Sequence, residues 1–200
     1  MRAGIGVMLA AGMALPAMAQ EITATTRAYG RVVAFPLAEG FIGAYENEKD
    51  GSYLLELVPD GETVEDWSQM ITLSAAEGLA RSLPDPVDVA MTIGAGFREA
   101  CPDTFLGSDE GAQSVTGADA AHLVLFSCGD AGGYAETALI LVAVAGADVF
   151  TLQWAARTPA AAGPTSPDLA DWRPRAERLL AMRLCLVVEG EAPPYPSCVE

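Results

Sequence analysis

The sequence predicts an α+β fold, a mostly antiparallel sheet with helices packed on it. Three observations predict it. Short strand candidates come in pairs joined by tight turns, at Asp50-Gly51 and at Gly146-Ala147. A helix candidate opens at Asp85-Pro86, between the early strands and the late ones. The late strands, ETALILVAVA and DVFTLQWAA, are apolar at successive positions, as expected where both faces of a sheet are covered.

The chain opens with MRAGIGVMLAAGMALPAMAQ. One basic residue, an uncharged apolar run and Ala17-Met18-Ala19 read as a signal peptide, cut after Ala19. A retained anchor would need about 20 apolar residues, and this run is shorter. Thr137–Val144 is also too short to span, so no membrane insertion is expected after cleavage. Residues 20–30 read as a flexible N-terminal segment, and 31–200 as one domain, a usual size. RVVAFP (Arg31–Pro36), FIGAYEN (Phe41–Asn47) and YLLELV (Tyr53–Val58) are strand candidates.

DGETVEDWSQMITL follows, from Asp60 to Leu73. Strict alternation over a strand from Trp67 to Leu73 would put Trp67, Ile71 and Leu73 on one buried face. Glu62 and Glu65 would then stay solvated at its entrance, and Asp66 would fall on the other face with Ser68, Met70 and Thr72. Carboxylates beside an aromatic ring can also hold a cation or a sugar, so Glu62, Glu65, Asp66 and Trp67 form a candidate binding surface.

Ala75–Leu83 suggests a short helix that stops before Pro84. In the next helix, Asp85 can cap, Pro86 suits the first position and Asp88 complements the dipole. Ala90, Ile93, Phe97 and Ala100 share one face, while Gly94 and Gly96 weaken its middle. Gly107–Ala121 reads as a polar loop. HLVLFSC (His122–Cys128) is a strand, Gly129–Gly133 a turn, and Glu136–Ala145 with Asp148–Ala156 the long hairpin. Thr158–Pro167 is a Pro- and Ala-rich connector. A last helix is expected over Trp172–Leu186, capped by Asp171, with Pro174 in its first turn.

The formal net charge is −16 for the whole chain. Loss of residues 1–19 removes Arg2 and no acid, leaving 10 basic and 27 acidic residues and a charge of −17. That argues against nucleic acid, which needs clustered Lys and Arg, and against anionic membrane surfaces. The four cysteines, Cys101, Cys128, Cys185 and Cys198, read as disulfides in an exported chain. Nearest neighbours close the shortest loops, which favours Cys101–Cys128 and Cys185–Cys198, each worth about 3 kcal/mol. No pair has CxxC spacing, so neither a metal site nor a redox-active thiol pair is expected.

No catalytic constellation is legible. There is no GxSxG elbow, and the single histidine, His122, opens an apolar strand, the place of a structural imidazole. Abundant acids permit a carboxylate-pair hydrolase without marking a pair. Ile93-Gly94-Ala95-Gly96 follows no strand and lacks a third glycine, and Gly129–Gly133 lacks a Lys-Ser/Thr ending, so no nucleotide cofactor is expected. Asp130 and the acids of 107–121 offer oxygen ligands without EF-hand spacing.

The hairpin ending in ETVEDWSQMITL, the helix leading to Cys101, HLVLFSC with Cys128, ETALILVAVAGADVFTLQWAAR and the closing helix resemble exported bacterial proteins of unknown function. Their arrangement is similar to the PsbP-like α/β/α sandwich, over roughly Phe41–Cys185. The resemblance implies that Cys101 pairs with Cys128, joining helix to sheet. It also implies an accessory or assembly role rather than catalysis. The expectation is therefore an exported, periplasmic or secreted, non-enzymatic protein with an unidentified protein or small-molecule partner. The alternatives are a hydrolase using carboxylates or His122, and a divalent-cation binder.

Overall fold

A computed structural model describes residues 22–199. The expected signal peptide, residues 1–19, lies outside them. The strands are β1 (Thr23–Ala28), β2 (Arg31–Pro36), β3 (Phe41–Lys49), β4 (Ser52–Pro59), β5 (Gln69–Ala76), β6 (Phe105–Gln113), β7 (Ala120–Cys128), β8 (Tyr134–Ala145), β9 (Asp148–Pro159) and β10 (Arg183–Leu186). The helices are α1 (Pro86–Ala100), α2 (Leu169–Leu180) and the short α3 (Pro196–Val199). The protein is α+β, sheet-dominated, with few helices.

Seven strands form one sheet in the order β3-β4-β5-β9-β8-β7-β6, and β1-β2-β10 form a smaller one. Every strand pair in both sheets is antiparallel. The turns set the registers. Asp50 and Gly51 take φ of 51° and 75°, the two positive values of a type I′ turn, and Lys49 meets Ser52. Gly146, at φ 66°, heads the turn that brings Ala145 opposite Asp148.

Burial divides the large sheet cleanly. Helix α1 covers one face, where Val89 and Ala90 pack on Val124, Phe126, Ile140 and Val142. Helix α2 and β2 cover the other, where Val33, Phe35, Trp172 and Leu179 pack on Leu123, Leu125, Leu141 and Leu152. Both faces of β7 and β8 are thus buried, which explains their unbroken apolar sequence. A third, small cluster sets Tyr195 and Cys198 of the tail against Val32 and Ala34. Disulfides Cys101–Cys128 and Cys185–Cys198 join α1 to β7 and β10 to the tail.

Several sequence expectations are corrected. Residues 23–28 are strand β1, not a flexible segment, because β2 supplies a complete antiparallel partner. Ala75 and Ala76 end β5 rather than begin a helix. Gly78, at φ 71°, turns the chain while its N–H donates to Asp148 Oδ1 at 2.8 Å, leaving one 3-10 turn at Leu79–Arg81. Part of the expected loop 107–121 is strand β6, held by pairing with β7. The last helix starts earlier and stops at Leu180. Asp168, not Asp171, caps it by accepting from Ala170 N–H at 2.8 Å. Met182 and Leu184 are buried and Arg183 is exposed, the period-two pattern of a strand, so Cys185 lies on β10.

Trp67 is corrected as well. It is buried at 8% exposure, but on the α1 side with Val58 and Met70, whereas Ile71 and Leu73 face the α2 side. The strand begins at Gln69, so alternation does not extend back to the tryptophan.

Candidate functional site

Helix α1 owes its place to its first turn. Asp85 Oδ1 accepts from Val87 N–H at 2.9 Å, and Pro86 occupies the first helical position. The buried face, Val89, Ala90 and Gly94, then lies over β7 and β8. Gly94 is the closest approach: a Cβ there would sit 2.6 Å from Phe126 Cζ.

A groove of about 280 Å³ runs between α1 and the β6–β7 edge of the large sheet. Val87, Met91 and Arg98 line it from the helix, Phe105, Gly107 and Asp109 from β6, and His122, Val124 and Phe126 from β7. Its walls are mainly apolar and aromatic. Phe126 sits 5.9 Å from Phe105 and 5.6 Å from Phe97, centroid to centroid. The Arg98 guanidinium lies 5.1 Å from the Phe105 centroid. Gly107 keeps the groove open, because a Cβ would come within 3.2–3.3 Å of the Phe105 and Phe126 rings.

His122 Nε2 is 2.7 Å from Asp109 Oδ1. An ionised carboxylate only accepts, so Nε2 carries the proton. The β-bulge between Asp109 and Gly111 aims this carboxylate, and Gly111 N–H donates to the same Oδ1 at 2.8 Å. The imidazole is buried while the Asp109 side chain is 70% exposed. Ser108 is the one hydroxyl in the groove lining, and its Oγ donates to Glu110 Oε1 at 2.7 Å.

The acidic stretch builds a different feature. Glu62 accepts from Ser68 N–H at 2.6 Å and from Ser68 Oγ at 2.7 Å, which holds its carboxyl below the ordinary range. Thr63 Oγ1 accepts from the backbone N–H of Asp66 and of Glu65. The Arg157 guanidinium stacks between Trp67, at 3.7 Å, and Tyr134, at 4.1 Å, and meets Glu136 at 3.5 Å. Burial pushes the Glu136 carboxyl up, against the pull of Arg157. An open depression of about 430 Å³ does border Glu62, Asp66 and Trp67, but Glu65 is not in its lining. Arg157 covers the face of Trp67, and Glu62 already serves Ser68.

Sequence reasoning missed the groove because one of its walls, β6, was read as a loop. The readable signal was Phe105-Leu106 directly ahead of Gly107. Among the described residues, no group of three or more His, Cys, Asp or Glu could hold a metal ion, and no helix is long and apolar enough to cross a membrane.

No family model matches the chain, and no curated protein matches it. Among solved structures it is similar to LpqN, a protein involved in cell envelope biogenesis of Mycobacterium tuberculosis. Identity is 18%, over 83% of this chain and 91% of that one, with a TM-score of 0.48. It is also similar to a protein from Bacteroides thetaiotaomicron, at 12% identity over 80% of this chain and 46% of that one, TM-score 0.40. Likenesses this distant carry no argument about function.

Proposed function

We propose that this chain is an exported, non-enzymatic binding or accessory protein that holds its ligand in the groove between α1 and β6. The observation that carries the reading is the groove itself, an apolar cleft with a few convergent polar groups, Arg98, Asp109 and His122, at its margins. Two disulfides support a place outside the cytoplasm. Helices on both faces of the large sheet support the further reading of a PsbP-like α/β/α sandwich; superposition of a crystal structure with a different strand order would refute it.

A second reading makes His122, paired with Asp109, the base of a hydrolase. Ser108 turning its hydroxyl to Glu110 weighs against it, since no groove hydroxyl is then presented to the imidazole. Turnover of generic ester or glycoside substrates, abolished by His122→Ala, would establish that reading instead.

The test of the binding reading uses the neutral dye Nile red. Its fluorescence should rise with the parent protein and fall back with Gly107→Leu, which places a side chain between the two phenylalanine rings. Far-ultraviolet circular dichroism checks that the variant is folded. Dye binding unaffected by Gly107→Leu would place the ligand elsewhere and sink the reading.

A further inference from the structure

The groove lies beside an open sheet edge. Strand β6 is the last strand of its sheet, so among the described residues one side of its backbone has no strand partner. Gly129 N–H donates to the Thr104 carbonyl, which fixes the phase of the β6–β7 ladder. Alternation from that pair directs the backbone of Leu106 and Ser108 to β7 and that of Phe105, Gly107 and Asp109 outward. Exposed edges are ordinarily blunted by bulges or side-chain cover. Beyond Asp109 this edge is blunted in both ways: the bulge breaks the register, and Gln113 Nε2 donates to the Glu110 and Gly111 carbonyls at 3.1 and 3.3 Å. From Phe105 to Asp109 it is open, and that stretch is the one bordering the groove.

Resting on the groove as the binding site, we infer that its occupant is an extended peptide segment of a partner protein, added as a strand to Phe105–Asp109, with an apolar side chain over Gly107 and a lysine or arginine facing Asp109. A strand placed there would be the new edge of the sheet. Its residue opposite Gly107 would point to the α1 side, where the glycine leaves the space between Phe105 and Phe126. Its neighbour two positions away would lie on the same face opposite Asp109. Charge selects the basic residue at that position. The Asp109 carboxylate is largely exposed, and Asp85 and Asp88 sit in or before the first turn of α1, the end that brings Val87 and Met91 to the groove. Arg98, the arginine of the lining, lies at the opposite, Phe105 end. An antiparallel partner therefore reads basic, any, apolar along its own direction.

The experiment measures binding of acetyl-Thr-Lys-Thr-Leu-Thr-Thr-amide to the whole protein, with a glutamate-for-lysine peptide as control, together with amide hydrogen exchange. The lysine peptide should bind about tenfold more tightly at low salt, and Asp109→Asn should remove most of that difference. Exchange at the Gly107 and Asp109 amides should slow in the complex. Equal binding of the two peptides, or unchanged exchange at those amides under saturation, overturns the inference. Nile red binding without peptide binding leaves the groove reading intact and refutes the peptide; failure of both refutes both.

Discussion

Replacing Gly94 and Gly96 by alanine, one at a time, should move stability in opposite directions. Both glycines lie inside α1, and glycine in a helix interior costs about 1 kcal/mol against alanine. At Gly96 nothing lies within 4 Å of the added methyl, so the full gain of about 1 kcal/mol is expected. At Gly94 the methyl would meet Phe126 at 2.6, 3.0 and 3.2 Å, on the Cζ, Cε1 and Cε2 atoms. Comfortable carbon–carbon contact is about 3.5–4.0 Å, and Phe126 is 5% exposed, held between Phe97 and Phe105. Overpacking of this kind costs about 1–3 kcal/mol. Set against the helix gain, Gly94→Ala should lose about 1 kcal/mol, and the two variants should differ by about 2 kcal/mol. For a chain of this size that separates their melting temperatures by about 4–8 °C, measurable by calorimetry without reductant. Because Phe126 also lines the groove, Gly94→Ala should alter Nile red affinity while Gly96→Ala should not. If Gly94→Ala melts at or above Gly96→Ala, the packing of α1 on β7 described above is wrong.

Arg157→Ala should cost about 2–3 kcal/mol near pH 7, from two cation–π contacts and a half-buried ion pair. Burial already raises Glu136, and loss of Arg157 removes the opposing pull. A carboxyl raised on folding adds stability below its unfolded pKa and loses it as pH climbs through the folded one. Urea titrations should therefore show a smaller cost near pH 4 than near pH 7, and an equal cost at both would refute the coupling. Replacing Cys185 and Cys198 together by serine opens a bridge of sequence separation 13 and should cost about 3 kcal/mol in the same assay. Gly117→Ala should cost about 3 kcal/mol or more, since φ is 81° and the new Cβ would overlap the Leu184 carbonyl; a variant as stable as its parent would contradict that packing.

The legible parts of the fold were those written in local chemistry. Asp50-Gly51 and Gly146-Ala147 announce their hairpins, because few other residues take positive φ cheaply. Asp85-Pro86 announces α1 because a capping carboxylate and the fixed φ of proline suit a helix start. The illegible parts depend on distant partners. FLGSDEGAQ, the β6 sequence, has no β-branched residue and two glycines; it is a strand because β7 pairs with it. The end of α2 was misplaced because Met182 and Leu184 continue an apolar run, although Arg183 between them changes its period from helical to alternating. At the candidate site, His122 reads correctly as a buried strand residue, but its partner Asp109 stands on β6, a strand the sequence reads as loop. Glu62, Glu65 and Asp66 drew attention by their charge, yet the element that decides the character of that stretch is Arg157, far along the chain and silent in sequence.

One consequence follows from where β9 sits. It lies between β5 and β8 and is the seam joining an early meander, β3-β4-β5, to a later one, β6-β7-β8. While the chain emerges from its N-terminus, β5 must wait with a bare flank until residues 148–159 arrive. That flank carries Ile71, Leu73 and Ala75, all bound for the core. The half-made protein thus offers β5 as a template for foreign strands, and in the finished one β9 has closed that flank. Chains ending just after Ala145 should aggregate, whereas chains that include β9 should close over the hazard that their own order of synthesis creates.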